Sequence, residues 1–363
     1  MKNSIISAIL IIFAIFININ DSLGKDKNSE PLMAYRKDSL WYFVDHNAKL
    51  MFPSKKIKKI GGYREGFFVI VYEANKKENW AFMDLKGEVF QPVGADEVRQ
   101  FRNGMAMTIK HIDTATGESH YGFINNQGMQ VVPNKFLDAT DFSEGLGWVM
   151  NRKERGYINT NGEFVSLFQS GIFGNPFFEG MASYHDESGL FGFIDTSFKP
   201  IIHAKFDEVA NFSDGLAAFS ENAKFGFLDK KGNVIIRPNY DAVTDFKDGI
   251  AFVGQVDTNQ LYLWGIINKS GKVIVDWQYD QVREFSEGLI AVRKKDKWFF
   301  IDQYGNKVIN QEFDFAESFK NGLAYVSLIK EKKKGFINPL GEWVFYLDDT
   351  ELMVDLRWNR VVK

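Results

Sequence analysis

The chain has 363 residues and a formal net charge of −3, and it is 45% hydrophobic and 25% charged, a composition typical of a globular protein with a sizeable core. Basic and acidic residues are interspersed, which argues against a nucleic-acid partner, and the absence of cysteine excludes disulfides, thiol catalysis and lipidation on cysteine. Aromatic residues make up 15% of the chain, so the fold must bury many rings.

The N-terminal segment has the features of a secretory signal peptide. Lys2 is followed by an apolar run over residues 5–17, which is shorter than the about 20 residues of a membrane span. Ser22 and Gly24 are small residues placed as a signal peptidase requires. We therefore expect cleavage after Gly24, a secreted or periplasmic protein, and no stable membrane insertion afterwards. The alternative is an uncleaved membrane anchor.

The rest of the chain repeats a short pattern nine times, from "WYFVDHNA" at Trp41 to "KGFINPLG" at Lys334. The fifth residue of each copy is Asp or Asn and the eighth is Gly in seven copies, with Ala48 and Phe198 as the exceptions. An Asx side chain accepts backbone hydrogen bonds in a turn, and Gly adopts the left-handed conformation that closes it. Each copy therefore predicts a β-hairpin.

A second signature alternates with the first and consists of an aromatic residue, a polar pair and Gly, as in "FSEGLGWVM" and "FSDGLAAFS". It predicts a further turn followed by a strand. In strands such as "WGIIN", which starts at Trp264, both faces are apolar or very small, so we expect burial on both sides by neighbouring units. The small Gly265 indicates the close approach of another backbone.

The spacing between the two signatures is fixed in one half of the unit and free in the other. From Asp229 to Gly249 there are 20 residues, and the other units differ from this by at most one residue. The return distance varies, from 14 residues between Gly215 and Asp229 to 21 between Gly104 and Asn125. Strands that must stack in register require a fixed length, whereas loops in solvent tolerate insertions. The variable half therefore predicts loops on one side of a repeat array.

The tandem signatures resemble the WG-repeat (KWG) proteins of bacteria, over about residues 30–345, although the Trp-Gly pair itself occurs only at Trp264 and Gly265. The resemblance implies an all-β repeat domain and no particular reaction. We divide the chain into a signal peptide (1–24), a WG-type β-repeat array (25–346) and a C-terminal capping segment (347–363).

The predicted fold is all-β: a tandem array of about nine β-hairpin-containing repeats. Two arrangements are compatible with the pattern. The units of 34 to 41 residues are short for four-stranded blades, and nine copies exceed the usual 4–8 blades of a propeller, which favours an open or superhelical array. The alternative is a β-propeller-like closure.

The sequence contains no recognisable catalytic, cofactor or metal motif. None of the histidine spacings matches a helical zinc site, and no phosphate-binding or nucleophile-elbow fingerprint occurs. Acidic residues recur beside the turn glycines at Glu144, Glu179, Asp214, Asp248 and Glu287. Repeated carboxylates are atypical of a catalytic pair, which needs two different environments. We therefore predict no catalytic residues, no cofactor and no metal.

The leading hypothesis is a secreted, non-enzymatic binding or scaffold module for a protein or polysaccharide. The alternatives are a glycan hydrolase or lyase that uses the repeated carboxylates, and a structural protein of the bacterial envelope without a specific ligand. If a partner binds, we expect it at the long variable loops. The candidate contact residues are Asn75, His111, His120, Tyr121, Asp257 and Tyr262.

Overall fold

The computed structural model describes residues 31–37, 40–45, 50–74, 76–169, 171–257, 261–348, 352–355 and 360–362. The described residues form strands, turns and extended segments and contain no helix. Nine antiparallel sheets follow one another along the chain, and we number them sheets 1 to 9 in that order. The expected all-β tandem array of nine repeats is confirmed.

Sheets 2 to 9 are four-stranded meanders in which consecutive strands pair. Sheets 2 to 5 consist of β4 (Lys59–Arg64), β5 (Phe67–Ala74), β6 (Lys77–Asp84) and β7 (Val89–Phe90); β8 (Glu97–Val98), β9 (Met105–Asp113), β10 (Glu118–Asn125) and β11 (Gln130–Phe136); β12 (Asp138–Ala139), β13 (Leu146–Met150), β14 (Arg155–Asn159) and β15 (Phe164–Leu167); and β16 (Phe173–Phe178), β17 (Met181–His185), β18 (Phe191–Asp195) and β19 (Pro200–Phe206).

Sheets 6 to 9 consist of β20 (Glu208–Val209), β21 (Leu216–Glu221), β22 (Lys224–Asp229) and β23 (Val234–Tyr240); β24 (Ala242–Val243), β25 (Ile250–Val256), β26 (Tyr262–Asn268) and β27 (Val273–Tyr279); β28 (Gln281–Val282), β29 (Ile290–Lys294), β30 (Lys297–Ile301) and β31 (Lys307–Phe313); and β32 (Phe315–Ala316), β33 (Ala324–Leu328), β34 (Lys333–Ile337) and β35 (Trp343–Asp348).

Sheet 1 joins the two ends of the chain. It contains β1 (Pro31–Lys37), β2 (Leu40–Asp45) and β3 (Leu50–Lys55) from the N-terminal part, and β36 (Leu352–Asp355) and β37 (Arg360–Val362) from the C-terminal part. β36 pairs antiparallel with β1 and takes the place of the first strand, and β37 pairs with β36. The segment interpreted as a cap thus contributes strands that complete the first sheet.

Among the described residues, the core consists of nine clusters of buried apolar side chains, and each cluster lies between two sheets. Eight of them join consecutive sheets. The ninth joins sheet 9 to sheet 1 and contains Val44 together with Leu323, Tyr325 and Phe336. Because the last sheet packs on the first and the termini share a sheet, the array closes into a ring.

The open or superhelical arrangement favoured from unit length is therefore corrected to its alternative, a β-propeller-like closure. Unit length is a poor guide here because the first strand of a unit is very short and follows the previous sheet with almost no linker. Between β23 and β24, for example, only Asp241 intervenes. Short units of this kind still form four strands each.

The third strand of each unit is buried on both faces, as predicted. In β22 of sheet 6, Phe227 packs toward sheet 7 and Leu228 packs toward sheet 5, and both side chains are fully buried. A Cβ on Gly226 would collide with the carbonyl oxygen of Ile236 on the adjacent strand. This confirms that glycine is required by a close backbone approach.

Candidate functional site

The meander gives each sheet two chemically different ends. At one end lie the turns between first and second strands and between third and fourth strands; we call it the turn end. At the other lie the loops between second and third strands and the connectors to the next sheet; we call it the loop end. All loops of variable length lie at the loop end, as the spacing predicted.

The turn end is held together by the repeated acidic residues. Eight tight turns have two left-handed residues in succession, a non-glycine residue with φ of 48–54° and a glycine with φ of 76–95°. Such turns match the twist of a hairpin but normally take Asn or Asp before the glycine, so glutamate needs another reason to be there.

That reason is a hydrogen bond to the next sheet. A carboxylate oxygen of Glu144 accepts from the Gly180 N–H at 3.0 Å, and Glu179 accepts from Gly215 at 3.0 Å. The same bond recurs at three other turns, where a carboxylate accepts from a glycine N–H: Glu65 from Gly104, Asp214 from Gly249, and Glu287 from Gly322. Equivalent turns of neighbouring sheets thus touch, so the first strands lie nearest the axis of the ring. The carboxylates have a structural role that repeats with the fold.

A third repeated residue, which the sequence reasoning missed, organises the loop end. Five connectors carry an aspartate that accepts a backbone N–H at the base of the following loop, namely Asp96, Asp207, Asp241, Asp280 and Asp314. Asp314, for example, accepts from the Ile329 N–H at 2.7 Å and from Lys297 Nζ at 2.5 Å. These bonds, led by the one from Lys297, lower the pKa of Asp314. In the sequence all of these aspartates except Asp96 follow an aromatic residue, and all of them precede, by two positions, Val or Ala, as in "YDAV" and "FDFA". Aligning the repeats would have shown this pattern.

The predicted contact residues of the first long loop lie on sheet 3. His111 contacts Ser119 Oγ through Nδ1 at 2.9 Å and Glu97 through Nε2 at 3.2 Å. His120 Nε2 lies 3.1 Å from a Glu118 oxygen. Tyr121 is half-buried and packs against the core between sheets 3 and 4, so it belongs partly to that core.

The residues of the second long loop lie on sheet 7. Asp257 closes the loop by accepting from the Leu261 N–H at 2.8 Å. Tyr262 is 38% exposed and sits edge-on to Trp264, with ring centroids 5.6 Å apart. Burial, with a smaller contribution from Asp241, raises the pKa of Tyr262. Asn75 lies outside the described residues.

The two loops are on the same end of the ring but not beside each other, because three sheets separate sheet 3 from sheet 7. Each loop has its own exposed apolar side chain: Ile112 is 52% exposed and Leu261 is 55% exposed. A partner that touches both loops must therefore span much of the loop end. Among the described residues no group of His, Asp and Glu is arranged to hold a metal ion.

A cleft of about 530 Å³ opens between sheets 2 and 3, next to the His111 loop. Its apolar walls include Val71, Trp80 and Ile109, and Glu97, the partner of His111, stands at its border. The basic side chains that line it are Lys59, Arg99 and Arg102.

The charges around this cleft are mostly compensated, with one exception. Arg102 pairs with Asp141 at 3.2 Å, and Lys59 pairs with Glu78 at 3.4 Å. Burial, together with the nearby charge of Arg102, lowers the pKa of Arg64. Within the described residues, no side chain accepts a hydrogen bond from the guanidinium of Arg99, which is exposed.

Comparison with known proteins agrees with the repeat and the fold. A family model described as WG containing repeat matches residues 121–153, 191–225, 225–255, 264–298 and 298–328. The structure is similar to the crystal structure of the eukaryotic initiation factor, with a TM-score of 0.61 at 11% identity, over 92% of this chain and 98% of that one. This likeness shows a shared β-propeller-like fold and says nothing of function.

A weaker similarity links the chain to BamB from Moraxella catarrhalis, with a TM-score of 0.41 at 10% identity, over 76% of this chain and 94% of that one. No curated protein sequence matches the chain. In the part of the chain that the structure describes, no helix has the length and hydrophobicity needed to cross a bilayer.

Proposed function

We propose that this chain, which belongs to the WG-repeat family, is an exported, non-enzymatic binding or scaffold protein that holds a protein or polysaccharide partner at its loop end. The observation that carries the proposal is the difference in contacts and in loop length between the two ends of the sheets. The turn end is committed to bonds between neighbouring sheets, whereas the loop end varies in length. The two longest described loops also carry exposed side chains, among them Ile112, Leu261 and Tyr262.

The contacts of the repeated carboxylates support a binding role over catalysis. A catalytic pair of carboxylates needs two environments that separate the two pKa values. Glu144 and Glu179 instead have the same kind of partner, the glycine N–H of the next turn, at the same distance. The alternative glycan hydrolase or lyase would have to use groups that already maintain the ring.

The loop end offers the chemistry that interfaces use. Tyr262 combines apolar area with a hydrogen-bonding tip, and Ile112 and Leu261 add exposed apolar surface on loops that are otherwise polar. Because these groups lie on sheets 3 and 7, the partner has to be an extended chain or a surface of domain size. This favours a macromolecule over a small ligand for the loop end.

The experiment shortens both loops, replacing residues 111–120 and 257–262 by the two-residue turn that joins β21 and β22. Partners are first identified with the intact protein from an envelope extract and a panel of defined polysaccharides, and affinities are then measured with purified components. We expect binding to fall at least tenfold while stability changes by less than ~1 kcal/mol. Tyr304→Ala, at the turn end, is the matched control and should leave binding unchanged. A stable shortened protein with full affinity would refute the placement.

Two further measurements separate the alternatives. If purified protein releases reducing ends from a polysaccharide, and Glu144→Gln abolishes the release, the protein is an enzyme and the proposal fails. Failure of every polysaccharide and every envelope protein to bind would favour a structural protein without a specific ligand. Export is tested by mass spectrometry of the protein from producing cells, where Lys25 should be the first residue; residues 1–24 lie outside the described residues.

A further inference from the structure

The cleft between sheets 2 and 3 occupies a position that is filled between sheets 8 and 9. Strand pairing fixes the equivalence: Ile60 pairs with Ile70 in sheet 2, and Val282 pairs with Val292 in sheet 8. The next residue is Gly61 in sheet 2 and Arg283 in sheet 8. The two positions have the same register in their sheets.

Between sheets 8 and 9, the side chain of Arg283 fills the space. Its guanidinium lies 4.6 Å from the ring centroid of Trp298 and 5.5 Å from that of Phe315. It also pairs with Glu317 at 3.4 Å. A planar group stacked on a tryptophan and a charge partner on the next sheet therefore complete this interface.

Between sheets 2 and 3, both parts of that arrangement are missing. Gly61 contributes no side chain, so the equivalent tryptophan, Trp80, borders an open cleft. The residue equivalent to Glu317 is Arg99, which reverses the charge, and no described side chain accepts a hydrogen bond from its guanidinium. The cleft thus has room for a planar group beside Trp80, and the guanidinium of Arg99 is available to pair with an anion.

We propose that this cleft binds a small organic acid in which a carboxylate is attached to a planar, apolar ring. The ring takes the place of the Arg283 guanidinium, beside Trp80 and the apolar wall formed by Val71 and Ile109. The carboxylate pairs with Arg99, for which a forked, bidentate contact is the preferred geometry. A planar cation is disfavoured, because the uncompensated Arg99 would repel it and Glu97 is engaged with His111. This site is independent of the partner proposed for the loop end.

The test uses the whole chain from Lys25 onward and two probes, benzoate and 4-hydroxybenzoate. Affinity is measured by titration calorimetry, and the site is identified by the indole N–H resonance of Trp80, assigned by its loss in Trp80→Phe. Benzyl alcohol, which lacks the carboxylate, and glucuronate, which lacks the planar ring, are the comparison compounds. We expect binding of both probes with a dissociation constant at or below about 1 mM, displacement of the Trp80 resonance, and at least tenfold weaker binding of both comparison compounds.

Two variants locate the ligand. Gly61→Arg recreates the filled interface of sheets 8 and 9 and should abolish binding. Arg99→Gln should weaken the probes about tenfold or more and leave benzyl alcohol unaffected. Arg152→Gln, which removes an exposed positive charge on a loop of sheet 4, is the control and should not change affinity.

The proposal is overturned by any of four results: no binding of either probe, full binding by a folded Gly61→Arg, equal affinity in Arg99→Gln, or a comparison compound that binds as tightly as benzoate. If Gly61→Arg does not fold, Arg99→Gln and the comparison compounds still decide the question.

Discussion

Truncating Phe336 to alanine tests whether the ring is closed. Its side chain is fully buried and belongs to the cluster that joins sheet 9 to Val44 of sheet 1. Phe227 is the matched residue, because it holds the same position in the repeat, is also fully buried, and packs between sheets 6 and 7 in the middle of the array. In a closed ring both phenylalanines are covered by a following sheet. In an open array only Phe227 would be covered by a following sheet.

The expected magnitude follows from the burial. Removing a fully buried phenylalanine side chain costs about 3–5 kcal/mol. Part of this, about 0.5–1.5 kcal/mol, comes from the edge-on aromatic partner. That partner is Tyr325 for Phe336, with ring centroids 5.8 Å apart, and Phe246 for Phe227, with centroids 4.6 Å apart. We therefore expect similar losses of unfolding free energy for both variants, slightly smaller for Phe336→Ala because its aromatic pair is longer.

The assay is urea unfolding of the wild type and the two variants, followed by circular dichroism and tryptophan fluorescence, with coincidence of the two probes as the check for a single transition. Tyr304→Ala is the control, because this side chain is 67% exposed, and it should change stability by less than about 0.5 kcal/mol. If Phe227→Ala loses about 3–5 kcal/mol while Phe336→Ala stays within about 1 kcal/mol of the wild type, the closure is refuted.

Three further perturbations test other contacts, each by chemical unfolding. Gly226→Ala forces a Cβ against backbone and should cost about 1–3 kcal/mol; an unchanged midpoint would contradict the close approach. Glu144→Ala leaves the Gly180 N–H without its partner and should cost about 0.5–1.5 kcal/mol, with a smaller loss in Glu144→Gln, which keeps an acceptor; equal losses would argue against the hydrogen bond. Asp314→Asn should destabilise at neutral pH. The difference from wild type should shrink as the pH falls below about 3.9, the ordinary pKa of an aspartate, because the pKa of Asp314 is lowered in the folded state, chiefly by Lys297, and its contribution is lost as the folded carboxylate is protonated; a difference that does not shrink below that pH would contradict this.

The sequence was sufficient for everything that depends on one unit. Turns are short-range structures, so the Asx and Gly positions of each signature predicted the hairpins directly. The alternation in "FGFLD" predicted a strand buried on both faces, and Phe227 and Leu228 confirm it. The contrast between fixed and variable spacing also separated the packed part of each unit from the loops, because insertions are tolerated only outside the stacked strands.

The candidate site was only partly accessible in this way. The long loops were recognised from their length, but the cleft beside the His111 loop was not. The cleft exists because Gly61 of one unit, Trp80 of the same unit and Arg99 of the next meet, and it is visible only by contrast with Arg283 elsewhere in the ring. The connector aspartates, such as Asp314, were missed because each bonds to a loop that begins only after two further strands.

Closure was decided by the tertiary structure alone. Whether nine units form an open array or a ring depends on the angle between neighbouring sheets, and a small difference in that angle is summed over all nine interfaces. No single unit specifies that sum, because all units carry the same pattern. The ring is fixed instead by contacts between residues at opposite ends of the chain, the pairing of β1 with β36 and the packing of Val44 on sheet 9. The sequence by itself determined what each sheet is and which of its faces must be covered, and the tertiary structure decided that the last sheet covers the first.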